Sequence, residues 1–239
     1  MKKINPLLVM ALTISMSQSS GAADEDGQVS DPLEGMNRAF YQFNDKLDIW
    51  ILKPVAQAYN DYTPSPVRKG VSNFFGNLES PMVVTNDLLQ GKVRQGVQDT
   101  MRFVFNSTFG IAGLLDVATP MQLERHEEDF GQTLGVWGVG EGWYLVLPFL
   151  GPATARDLPK LVVDTYLDPV YYMDDDEARW ATYVVRTVNL RAQLLGASKV
   201  LEVGALDPYA FTRDAYLQRR LSQVYDGNPP EPEFYDEGF

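Results

Sequence analysis

The chain has 239 residues, no cysteine and a formal charge of −12. That acidic balance excludes binding to a nucleic-acid backbone, which needs clustered Lys and Arg to displace counterions, and argues against electrostatic docking on an anionic membrane face. The missing cysteine excludes disulfides, a thiol nucleophile and thiolate-bound zinc, leaving packing as the source of stability.

Residues 1–23 have the three parts of a cleavable secretory signal in order. Lys2 and Lys3 open it, Leu7 to Met16 is apolar, and Gly21 and Ala23 stand at the −3 and −1 positions of a cut between Ala23 and Asp24. A spanning helix needs roughly 20 apolar residues, about twice what this stretch offers. Loss of Lys2 and Lys3 with the signal moves the formal charge from −12 by two units, to −14. Residues 24–30 read as a flexible lead-in, 31–226 as one helical domain, and 227–239 as an acidic, proline-rich tail.

Helix-start signals dominate the domain. A capping side chain followed by proline, which fits the first helical turn, occurs at Asp31–Pro32, Ser65–Pro66, Ser80–Pro81, Asp168–Pro169 and Asp207–Pro208. After the first, Leu33, Met36, Phe40, Phe43, Leu47 and Trp50 recur in steps of three and four. That spacing predicts one helix of about 20 residues, with Glu34 placed to complete a capping box. Further stripes are Val67, Val71, Phe74, Phe75 and Leu78; Val93, Val97, Met101 and Val104, ended by Gly110; and Trp180, Val184, Val188, Ala192 and Leu195, stopped by Gly196 at C′. A last helix is predicted from Pro208 to about Val224, with Gly227 beyond it. Only Trp143 to Leu150 looks extended, and Pro148 bars it from a central strand. The fold class is all-α.

From Phe109 to Gly151 the texture changes: Gly135, Gly138, Gly140 and Gly142 follow one another among Trp137, Trp143 and Tyr144. Glycine at this density weakens helices and lets backbones bend or approach closely, which marks the segment as the place to look for a functional element.

Enzymatic chemistry finds few residues. His126 is the single histidine and lies in the charge run Glu124 to Asp129, where a solvated side chain is expected; no serine stands in a G-x-S-x-G elbow. Asp174, Asp175, Asp176 and Glu177 lack the spacing and glycine of a calcium loop and precede the Trp180 helix, where acidic residues favour the helix dipole. No Walker pattern accompanies the glycines. The 12 Phe, 12 Tyr and 4 Trp fit ordinary core packing, or helices lying in a membrane interface.

The ordered motifs resemble one family. Asp31-Pro-Leu-Glu-Gly-Met-Asn-Arg38, which contains Pro32, Leu33, Glu34 and Asn37, and then Phe40-Tyr-Gln-Phe-Asn44, look like the opening signature of the MlaA/VacJ proteins of Gram-negative bacteria. The similarity continues through Asp61–Pro64, Asn73–Glu79, Arg102–Asn106, Gly110–Asp116, Phe130–Gly135 with Gly138 and Gly140, Leu147–Phe149, Arg156–Asp157, Arg191–Leu195 and Asp207-Pro208-Tyr209.

The resemblance implies a ring of amphipathic helices around an amphipathic channel, embedded in the outer membrane from its periplasmic side. It implies no catalysis and no cofactor. The implied partners are phospholipid, a trimeric outer-membrane porin and a periplasmic lipid carrier, and the implied task is to remove phospholipid mislocalised to the outer leaflet. An adaptor that binds porin or carrier without conducting lipid is the alternative, and a lipid-acting hydrolase using His126 a further one. The family's gate region corresponds to Phe109, Gly110, Gly113, Leu114, Phe130, Gly131, Leu134, Gly135 and Gly138. Family members usually end their signal at a lipidated cysteine; Ser19 to Asp24 has none, so an unlipidated route to the outer membrane is expected here.

Overall fold

The computed structural model describes residues 31–198 and 205–230. The signal, the lead-in and residues 231–239 of the tail lie outside it. The described residues are mostly helical, with one two-stranded sheet.

Helix α1 (Glu34–Leu47) passes through a five-residue π-helical stretch, Asp48–Leu52, into α2 (Lys53–Tyr62). The widened turn stands directly before Pro54, whose ring removes a backbone donor and presses on the carbonyl four residues back. The long helix predicted from the first stripe is therefore present and longer than expected. Its capping box is absent: Asp31 spends its buried carboxylate on Asn37 Nδ2 (2.9 Å) and the Tyr209 hydroxyl, and Glu34 pairs with Arg38 at 2.6 Å.

Helix α3 (Ser65–Leu89) starts at the second signal, but the third, Ser80–Pro81, lies inside it. Packing against α4 (Val93–Thr108), α5 (Phe130–Val136), α6 (Lys160–Leu167) and α7 (Asp176–Gln193) holds α3 continuous through the proline. Side chains satisfy local carbonyls there, Ser80 Oγ donating to Gly76 O and Thr85 Oγ1 to Pro81 O. Asp168–Pro169 begins only a four-residue 3-10 turn, with Asp168 accepting from Val170 N at 3.0 Å.

Asp175 caps α7 by accepting from Glu177 N and Ala178 N, as the acidic run implied. Gly196 does not stop that helix in a left-handed cap. The chain turns over at Leu194, and residues 195–198 are helical again. Helix α8 (Pro208–Val224) has the predicted ends; Asp207 accepts from Tyr209 N and Ala210 N, and Gly227 lies beyond at φ +82°.

The extended segment is one arm of a hairpin. Strands β1 (Tyr144–Leu147) and β2 (Gly151–Thr154) pair antiparallel with Leu147 opposite Gly151, and Pro148 falls in the turn. One edge of β1 is closed by two asparagines of α1. Asn37 donates to Tyr144 O and accepts from Val146 N, and Asn44 donates to Leu147 O and accepts from Phe149 N. Seven residues apart, they share one helix face and act as a rung for the strand. Tyr144, Val146, Tyr209 and Leu217 form a small apolar core against Phe40, Tyr41 and Tyr216.

The stripes of the first helix, α4 and α7 otherwise face largely outward, whereas that of α3 turns inward at Phe75. Val93, Val97, Met101 and Val104 are all exposed on α4, whose buried face is Gly96, Asp99, Arg102 and Asn106. On α7 Trp180 and Val184 are exposed while Asn189 is buried. On the first helix Met36, Phe43 and Trp50 are exposed while Asn37 is enclosed. Ordinary core packing accounts for part of the aromatic content: Phe75, Phe130, Tyr144 and Tyr209 are buried, while Phe43, Trp50, Phe109 and Trp180 are exposed. No helix among the described residues is long and apolar enough to cross a membrane.

Candidate functional site

The buried polar faces enclose a cavity of about 560 Å³. Helix α3 supplies Phe75, Asn77, Glu79, Ser80 and Val83; α4 supplies Asp99, Arg102 and Asn106; residues 125–129 and Gln132 form a charged wall; and α6, α7 and α8 add Lys160, Arg186, Asn189, Tyr216 and Arg220. A smaller recess of about 230 Å³ adjoins it, sharing Glu79, Met82, Lys160 and Arg186 and reaching Asp164 and Asp168.

Ion pairs hold the walls together. Arg102 pairs with Asp116 at 3.1 Å and also reaches Thr119 and the Leu123 carbonyl. Burial alone would raise the Asp116 carboxyl, but the Thr119 hydrogen bonds, the Arg102 charge and Asn106 bring it down to about 2. Arg186 bridges Asp168 (2.7 Å) and Glu79 (2.8 Å). Arg220 bridges Asp129 (2.7 Å) and Asp157 (2.6 Å). Burial opposes ionisation of Asp129, yet the Arg220 bond and the Lys160 and Arg220 charges hold it well below the usual carboxylate range.

His126 is not solvated. Its side chain is mostly enclosed on the cavity wall, with Nδ1 bonded to Asp99 Oδ2 at 2.6 Å. Its other nitrogen stands 3.9 Å from Glu124 Oε2. Among the described residues no serine or threonine hydroxyl bonds to it, so this Asp–His pair holds no nucleophile.

None of the nine gate candidates lines the cavity. Phe109 and Leu114 are exposed; Gly110 and Gly113 sit in a tight loop after α4, where Ile111, Ala112 and Gly113 all have positive φ. Backbone bonds fix that loop, among them Gly113 N to Asn106 O and Leu115 N to Gly110 O, and Asn73 Nδ2 of α3 donates to Leu114 O. Phe130, Gly131, Leu134 and Gly135 belong to α5, behind the wall formed by Gln132. Phe130 is buried against Trp137, and a Cβ on Gly135 would stand 2.7 Å from Val224 of α8. Gly138 has φ +88° with open space around it.

The motif residues have other partners. Arg38 grips Asp207 with both terminal nitrogens (3.2 and 2.7 Å) and lies over the Tyr209 ring, so Asp31, Asn37, Arg38, Asp207 and Tyr209 form one clasp between α1 and α8. Pro32 and Leu33 make the entry turn, Glu34 braces Arg38, and Pro208 occupies the first turn of α8. Asn106 Oδ1 accepts from Val117 N and Ala118 N. Arg191 holds Asp48 bidentately at 2.7 and 2.8 Å, at the start of the π turn.

Of the cavity residues, the family motifs take in Asn77, Glu79, Arg102, Asn106 and Gln132, while Asp99, Lys160, Arg186, Asn189 and Arg220 lie outside every motif. The available signal was a second periodicity: Asp99, Arg102 and Asn106 recur at helical spacing opposite the apolar stripe of α4.

Comparison with known proteins gives one answer. The family model described as "MlaA lipoprotein" matches residues 29–223. The "Intermembrane phospholipid transport system lipoprotein MlaA" of Shigella flexneri is 42% identical over 216 residues, covering 89% of this chain and 85% of that protein. Its Escherichia coli K12 counterpart of the same name is 41% identical over 218 residues, with the same coverage. A solved structure described as "Structural basis for maintenance of bacterial outer membrane lipid asymmetry" matches with a TM-score of 0.72 and 40% identity, covering 83% of this chain and 100% of that one. The chain belongs to the MlaA lipoprotein family.

Proposed function

We propose that this protein carries phospholipid out of the outer leaflet of the outer membrane, through its polar cavity, toward a periplasmic lipid carrier. The inverted distribution of side chains supports this most directly. Apolar helix faces meet a hydrocarbon surround at no cost, while a headgroup crossing that surround needs a polar lining to avoid a large desolvation penalty. The cavity has that lining and a volume of about 560 Å³, within the roughly 300–1,000 Å³ of small-molecule sites. The names of the Shigella and Escherichia relatives point the same way.

The helices form a ring around the cavity, the protein sits at the periplasmic side of the outer membrane beside a trimeric porin, and it breaks no bond in the lipid. The glycine-rich segment behind Gln132 moves the wall rather than lining the path. The sequence contains no cysteine to acylate, so the exposed Trp50, Val97 and Trp180 faces supply membrane attachment. Surface phospholipid in a deletion strain tests all of this. Accumulation in the deletion strain, cleared by the restored gene, is expected. A gene whose product binds porin or carrier but leaves surface phospholipid unchanged is an adaptor, and the transport assignment then fails.

A further inference from the structure

The geometry points to Arg125 as the residue that receives the phosphodiester of the transported lipid. This deepens the transport reading above and rests on it. Six arginine or lysine side chains line the main cavity, and five have strong or multiple partners or lie at its solvent edge. Arg102, Arg186 and Arg220 each bind two or more oxygens, Lys160 binds Asp129 at 3.2 Å, and Arg219 is largely exposed beside Glu127. Arg125 has no hydrogen bond among the described residues. Its one ionic neighbour is Glu79, at 3.7 Å, and its side chain is 48% exposed.

Two features keep Arg125 in that state. Gly76 leaves it a seat on α3, since a Cβ there would stand 2.7 Å from Nη1 and 2.9 Å from Nη2. Glu79 already has Arg186 at 2.8 Å, so the carboxylate keeps its stronger partner when Arg125 turns away. A seated guanidinium with unspent N–H groups matches the two free oxygens of a phosphodiester monoanion, which it binds as a fork. Arg102, Arg186 and Arg220 must break buried or partly buried pairs to do the same, which is costly.

Inorganic phosphate offers similar oxygens, so the test separates the sources. Full-length protein in detergent is titrated with dihexanoylphosphatidylcholine and with dihexanoylglycerol, which has the same tails and no phosphate. The native chain is expected to prefer the phospholipid. Arg125→Ala should cut that preference about tenfold or more, the scale of a charge-assisted pair, while dihexanoylglycerol binding stays unchanged and so reports an intact fold. Arg125→Lys should recover part of the preference. Gly76→Leu should lower it, because it unseats a charge that is still present. Undiminished preference in Arg125→Ala overturns the inference, as does equal competition by inorganic phosphate, which would make free phosphate the ligand. If the native gene clears surface phospholipid but Arg125→Ala clears it equally and keeps its preference, only Arg125 is wrong. If the native gene clears none, the transport reading falls first.

Discussion

Arg220 Nη2 lies 2.6 Å from Asp157 Oδ1, with both side chains almost fully enclosed and 63 positions apart in the chain. The same guanidinium reaches Asp129 at 2.7 Å through Nη1, so one side chain of α8 ties together the residues before α5 and those after β2. Removing one member of a buried pair leaves the other charge uncompensated, at a cost of about 3–5 kcal/mol. Arg220→Ala is expected to destabilise by that amount, and Arg220→Lys to recover part of it, because an ammonium lacks the two-pronged reach. Urea unfolding followed by circular dichroism measures both.

Two carboxyls, Asp87 fully buried and Asp164 partly so, set a pH window. Burial, then the Asp99 and Glu128 charges, raise Asp87 from 3.8 to about 7; burial, then Asp129, raise Asp164 from 3.8 to about 7. A carboxyl with a raised folded-state value favours the folded state fully below about pH 4. That contribution fades as pH rises, because the unfolded chain releases its proton first, and it is gone above about pH 7. Among the described residues neither Asp87 oxygen has a hydrogen-bond partner. Asp87→Asn should therefore stabilise the protein at pH 8 by at least about 1 kcal/mol and flatten the decline between pH 4 and 7. Asp116 acts in the opposite sense: its contribution is present above about pH 4 and lost as pH falls toward 2. Melting temperature as a function of pH resolves the two limbs.

Gly135 and Gly138 should behave differently. Gly135→Leu drives a side chain into Val224 and Arg156, and overpacking of this kind costs about 1–3 kcal/mol. Gly138→Ala meets no atom but must hold φ +88°, which costs about 1–2 kcal/mol. If the segment moves during transport, Gly138→Ala should slow clearance of surface phospholipid more than its small loss of stability explains.

The outward stripe of α4 is testable without disturbing the interior. Val97 and Val104 are about half exposed, so Val97→Lys with Val104→Lys should change stability in detergent-free buffer by no more than about 0.5 kcal/mol per site. Membrane association in a vesicle-flotation assay should fall sharply.

His126→Ala separates transport from hydrolysis. Phospholipid clearance should persist, with no fatty acid released by the native protein or the variant. Stability should drop by about 1–3 kcal/mol, since Asp99 would remain buried without its partner.

Much of the local structure was legible. Asp207–Pro208 and Gly227 marked the ends of α8, and the acidic run before Trp180 marked the cap of α7, because caps depend on a few neighbouring residues. Ser80–Pro81 carried the same start signal and begins no helix, and Gly196 carried a stop signal and ends none. In the first case the reason is tertiary: α3 is packed along its length, and that contact outweighs one proline. His126 went the same way, since its charged neighbours in sequence say nothing of Asp99, 27 positions earlier.

The sequence by itself determined the helical periods, most helix ends, the family and the absence of cysteine chemistry. Periodicity assigns residues to a common face because 3.6 residues complete a turn. It does not say what that face touches, because hydrocarbon and a protein core reward apolar side chains alike. Only the tertiary structure decided that Val93, Val97, Met101 and Val104 look outward while Asp99, Arg102 and Asn106 look in. The physical reason is that buried charges persist only where partners from distant segments meet them. Asp116, Arg186, Asp129 and Arg220 reach their partners only after the chain has folded.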